Sequence, residues 1–254
     1  MTRTTQLLAL AALALSAGAA AQGLEEIVVT GSRIQARHIP ATSIKRHADF
    51  LLLNVEVSND SRGYKTRREE ILATLRSMLA AASQDKSIEL SVIRDDNVVL
   101  PLKLDDTTLD FRGERAAGED VNGRLETTIS VKIPISSDAA NGAALVESLR
   151  KFVSGIKPAG RTIVSDDEET RVSVVNVAQY REPAIRLFAE DVKRITASLG
   201  GDYRIVARGL DQPIQWVRDG TLDVVIFVPY QYDLVPTTIS SYVPGPISVR
   251  DAED

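Results

Sequence analysis

From Leu125 to Ile135 the chain reads LETTISVKIPI: Leu125, Thr127, Ile129, Val131, Ile133 and Ile135 alternate with Glu126, Thr128, Ser130, Lys132 and Pro134. Successive side chains of a strand point to opposite faces, so this period of two marks a half-buried strand. Such a strand needs partners along its edges and a cover over its apolar face. The rest of the sequence has to supply both.

Partners are marked by the same alternation. Leu51, Leu53, Val55 and Val57 form one candidate strand, and Ile88, Leu90 and Val92 another. The polar turn Arg94–Asn97 joins the latter to Val98, Leu100, Leu102 and Leu104 as a hairpin. Asp105 to Gly123, rich in Asp, Gly and Arg, is expected as an exposed loop with a short strand over Leu109–Arg112. Further strands are expected at Arg161–Val164 and Arg171–Val175, joined by the acidic tip SDDEET (Ser165–Thr170), then at Tyr203–Arg208 and Leu222–Tyr232. Val224 to Val228 is apolar at every position, as a strand covered on both faces would be.

The cover comes from segments whose period lengthens. Ile71, Leu75, Met78, Leu79 and Ala82 share one helical face. Leu145, Leu149, Phe152, Val153 and Ile156 mark a second helix, with Ser136, Ser137 and Asp138 as candidate caps. Ile185, Phe188, Val192, Ile195 and Leu199 mark a third between Pro183 and Gly200-Gly201. The expectation is an α+β fold, with mixed or antiparallel sheets packed against about three helices. Its domain is expected over 44–235 as one unit or two small lobes, with a flexible segment over 22–43 and a mobile tail over 236–254.

The N-terminus has a different character. Arg3 is the only charged residue before Gln22, Leu7–Leu15 is an apolar run of nine, and Ala19-Ala20-Ala21 supplies small residues. That order is a secretory signal peptide over residues 1–21, and the run is far short of the roughly 20 residues that span a bilayer. The mature chain is expected to start at Gln22 in the periplasm without a membrane span. The chain lacks Cys, which removes lipoprotein anchoring, disulfides, thiolate metal sites and cysteine nucleophiles. About 230 residues can bury a core without disulfides. A net charge of −5 with no basic stripe argues against nucleic acid as a partner.

The order of elements resembles the SIMPL domain of exported bacterial proteins, over roughly residues 44–235. The resemblance rests on ADFLLLNVEVSNDSRGYKTRREEILATLRSMLAA, on YREPAIRLFAEDVKRITASLGGDYRIV and on LDVVIFVPYQYDL. It implies an α+β fold, residence in the periplasm or envelope, self-association into a homo-oligomer, and no established enzymology.

The residues themselves point to no catalytic site, cofactor or metal. The only two histidines, His38 and His47, precede the first clear strand without metal-ligand spacing and are expected as exposed linker residues. SDDEET lacks the alternating ligands and turn glycine of a calcium loop. The chain has no glycine-rich phosphate loop and no G-x-S-x-G elbow. A carboxylate-dependent hydrolase using the Asp105–Asp120 loop, with Asp105, Asp106 and Asp110, is the minor alternative.

One stretch does point to a partner. EEIVVTGSR, residues 25–33, follows closely on the expected cleavage site and resembles the TonB box of outer-membrane TonB-dependent receptors. Glu26, Ile27, Val28, Val29 and Thr30 are the candidate partner-binding residues. The resemblance implies TonB, or a TonB-dependent receptor system, as partner, through addition of an extended strand to a sheet edge. A receptor barrel cannot be built from the rest of the chain. Three other readings stay open: residues 24–34 complete a neighbour's sheet in a self-assembling envelope protein, the run is the domain's own edge strand, or it is a remnant of a receptor-like gene start.

Overall fold

The computed structural model describes residues 25–29, 39–105, 108–113, 123–136 and 141–245. In chain order its strands are Glu26–Val29 (β1), Ile44–His47 (β2), Phe50–Asn59 (β3), Glu89–Ile93 (β4), Val99–Pro101 (β5), Arg112–Gly113 (β6), Leu125–Pro134 (β7), Thr162–Val175 (β8), Tyr203–Arg208 (β9), Gln215–Asp219 (β10), Asp223–Phe227 (β11) and Gln231–Pro236 (β12). Its α-helices are Tyr64–Gln84 (α1), Gly142–Ser154 (α2) and Arg181–Leu199 (α3), the last preceded by a 3-10 turn at Val177–Tyr180. The fold class is α+β, and every strand pair is antiparallel.

Alternation decides the centre. β3 and β7 pair along their whole lengths, Phe50 opposite Pro134 and Asn59 opposite Leu125. They are the middle of a seven-stranded sheet ordered β1-β8-β3-β7-β4-β5, with β6 beside β7. One face carries Leu51, Leu53, Val55, Ile129, Val131 and Ile133 into the main core, where Ile71, Leu75 and Met78 of α1 and Leu149 of α2 meet them. Burying each such side chain contributes about 1.5–3 kcal/mol. A three-stranded sheet, β10-β11-β2, adds Val224 and Ile226 to the same core, and Leu222, just before β11, joins them. Val225 and Phe227 point the other way, into a second cluster with Val217. A β9–β12 ribbon beside α3 completes the described elements.

Several local expectations change. Residues 161–175 do not form two strands around a solvated tip; Thr162–Val175 is one strand. Opposite Asn54 its register slips, from Leu53↔Thr170 to Val55↔Asp166, so the acidic residues form a bulge along β3. Cations from three elements hold that bulge: Arg150 of α2 lies 3.5 Å from Asp166, Arg171 3.7 Å from Asp167, and Arg218 of β10 donates to Thr170 O. The cap of α2 is Asn141, whose Oδ1 accepts from Ala144 N at 3.3 Å, rather than Ser136; Ser137 and Asp138 lie outside the described residues. Leu222–Tyr232 divides between two sheets, because Pro229 cannot donate to a continuing ladder.

The turn into β8 is built around one carboxylate. Glu70 Oε2 accepts from Arg161 N at 2.9 Å, Asn59 Nδ2 at 2.7 Å and Ser61 Oγ at 2.7 Å. These donors, with the Arg161 amide foremost, hold the Glu70 carboxyl below its ordinary value. Gly160 passes so close, at φ +58°, that a Cβ there would sit 2.0 Å from the carboxyl carbon.

Candidate functional site

Five residues are the sequence's partner-binding candidates, and four are described. Glu26, Ile27, Val28 and Val29 form the edge strand β1, paired with β8 from Glu26↔Val175 to Val29↔Val172. Thr30 lies outside the described residues. All four side chains are inside, with 8%, 6%, 2% and 0% exposure in chain order. The main sheet therefore takes in a segment lying before the 44–235 span that periodicity marks.

β1 also touches the opposite end of its own sheet. Ile27 forms an isolated bridge with Val98, next to β5, and Val28 N donates to Asn97 O at 3.0 Å. The sheet is thus rolled until its two outer strands meet, and β1 is the seam. Inside the roll, Val28 packs with Leu52 and Val99, flanked by Phe50 and Ile93. Glu26 reaches across it. Its Oε2 accepts from Lys132 Nζ at 2.5 Å and its Oε1 from Ser173 Oγ at 2.6 Å. Lys132 Nζ is also 3.2 Å from Glu89 Oε2 and 4.0 Å above the Phe50 ring centroid. This ion pair is desolvated, with side-chain exposures of 9% for Lys132 and 10% for Glu26.

Farther along, the same inner face turns polar. Asn54, Glu56, Arg94, Arg112, Ser130 and Arg171 line a groove of about 580 Å³. Ser130 Oγ donates to Asn54 Oδ1 at 2.6 Å, and Arg112 Nη2 donates to Thr128 Oγ1 at 2.7 Å. An amide oxygen is no base, so Ser130 is not activated as a nucleophile by this contact. Arginines and carboxylates both line the groove, and Asn97, which carries the carbonyl that receives Val28 N, belongs to its wall. The seam and the groove share that turn.

Other candidates fall elsewhere. His47 is half-buried in β2, where its Nδ1 lies 2.5 Å from Asp223 Oδ1, so it is not an exposed linker residue; His38 lies outside the described residues. The strand exists because Ile44–His47 pairs with β11, a long-range contact that four residues cannot announce. Asp105 Oδ1 accepts from Thr108 N at 3.0 Å and closes its own turn; Asp110 is exposed, and Asp106 lies outside the described residues. Among the described residues no group of three or more His, Cys, Asp or Glu side chains could hold a metal ion, and no helix is long and apolar enough to cross a membrane. Lys132 is the residue that sequence reading passed over. It occupies the polar half of the LETTISVKIPI alternation, and only the rolling of the sheet turns that half inward.

No protein-family model matches this chain, and no curated protein matches it significantly.

Proposed function

We propose that this chain is a non-enzymatic, exported periplasmic or envelope protein of SIMPL-like type that works by binding, with its N-terminal strand as the contact to TonB or a TonB-dependent receptor system. The observation that carries the reading is the conformation of Glu26–Val29. It is an extended strand near the N-terminus, on a sheet edge, paired through its backbone along β8 and touching the far side at a single bridge. Strand addition to a partner uses that conformation and those backbone groups. In the resting domain the same groups are engaged, so contact with TonB requires β1 to leave β8. The leader-like order of Arg3, Leu7–Leu15 and Ala19–Ala21 supports export.

The experiment has two arms. A fusion of residues 1–30 to a reporter active only outside the cytoplasm should give signal, and protein recovered from the periplasm should begin at Gln22. The full mature chain should be retained by the immobilised periplasmic domain of TonB. Absence of binding at high micromolar concentration removes the TonB contact, and an intact Met1 on periplasmic protein removes the signal peptide.

A further inference from the structure

We infer that the edge of β8, with Lys132, Ser173 and the Asn97 carbonyl, is a strand-accepting slot, and that residues 26–29 of a second copy of this chain can take the place of the resident β1. The inference rests on the binding role proposed above and names a partner for it. The recognition groups belong to the receiving body. Lys132 and Ser173 offer an ammonium and a hydroxyl to an acidic side chain at the first position. Leu52 and Val99 offer an apolar niche to a β-branched side chain at the third position. Asn97 O accepts the amide of that third residue, and Val172–Val175 sets the register. An incoming strand is therefore read as acid, then a buried apolar residue at the place of Ile27, then Val, in antiparallel pairing.

A vacant slot is costly, which is why its occupant is exchanged rather than lost. If β1 left, Lys132 would lose Glu26 and keep only Glu89 as its nearby carboxylate, and the niche around Leu52 and Val99 would open. Refilling restores both. A second copy carries a segment matched to the slot at every position, with the same Glu26 and Val28 in the same register. The partner copy thereby contributes its Glu26 to the Lys132 ion pair that the resident Glu26 otherwise completes. Release of a strand to an outside partner and donation from a neighbour are two halves of one exchange.

The test uses full-length mature chains. In a Val28→Pro chain the resident strand keeps its pairing with β8 but loses the amide that Asn97 O accepts, so its hold on the slot is weakened. A fluorescein-labelled peptide of residues 22–33 should bind this chain at least about tenfold more tightly than it binds the unmutated one, whose slot is filled. A Glu26→Lys peptide should lose that binding. Adding Lys132→Glu to the Val28→Pro chain should restore binding of the Glu26→Lys peptide and weaken the original one. Mixed with a differently tagged unmutated chain, the Val28→Pro chain should form a heterodimer by native mass. A Val28→Pro chain that keeps its native circular dichroism yet captures neither peptide nor unmutated chain overturns the inference. If Val28→Pro does not fold, a Glu26→Lys chain, whose resident strand Lys132 repels, serves with the same expected and overturning results. Retention on TonB is scored separately, so either idea can fail alone.

Discussion

At Lys132 an ammonium group lies between Glu26 and Glu89 and over the ring of Phe50, with almost no water around it. Removing one member of such a pair leaves an uncompensated buried charge, so Lys132→Ala should lower stability by about 3–5 kcal/mol in denaturant titration. Glu26→Gln keeps the acceptor for Ser173 and leaves Glu89 beside Lys132, and its loss should be smaller. Glu70 gives a pH signature. Its carboxyl is held below its ordinary value of 4.5, so the folded state favours the charged form. That contribution is complete above the ordinary carboxyl pKa and disappears as pH falls through the lower folded value. Glu70→Gln should therefore melt below the unmutated chain at pH 7, and the gap should shrink as pH falls below 4.5. Gly160→Ala drives a methyl into the same carboxylate and should also destabilise, by about 1–3 kcal/mol.

Among elements, the long periodic ones were legible and the short ones were not. LETTISVKIPI except Ile135 lies within β7 and the Leu51–Val57 run within β3, and the three helical faces, except Ile156, lie within α1, α2 and α3. Each carries enough alternating residues for its own face to be read. β2 carries four residues and a partner far along the chain makes it a strand, while β10 carries five and pairs with the adjacent β11 across a short turn. The acidic run of β8 misled for a related reason. Polar residues mark turns only on average, and here Arg150, Arg171 and Arg218 let them continue a strand. β1 is an edge strand whose Val28 amide is used, so Val28→Pro should cost about 1–3 kcal/mol of stability. On α3, Phe188 is 7% exposed and its ring centroid lies 4.4 Å from that of Tyr230. Phe188→Ala should cost about 3 kcal/mol by thermal or chemical unfolding.

At the scale of the whole molecule, β1 is the outer strand that pairs with β8 and also meets Val98 beside β5, and it borders the groove. Loosening it should raise amide exchange in the Arg94–Val98 turn as well as along β8; in a Glu26→Gln chain both should gain exchange together while α1 stays protected. The α+β class and its three helices were set by the sequence alone, because side-chain periodicity is a local property that needs no partner to be expressed. The Glu26–Val29 stretch was equally visible as a strand without a place. Its place, and the inward turn of Lys132, were decided only by tertiary structure. Both depend on how far the sheet rolls, and rolling follows from backbone pairings between residues more than a hundred positions apart, such as Glu26 with Val175. No window of sequence contains both ends of that pair.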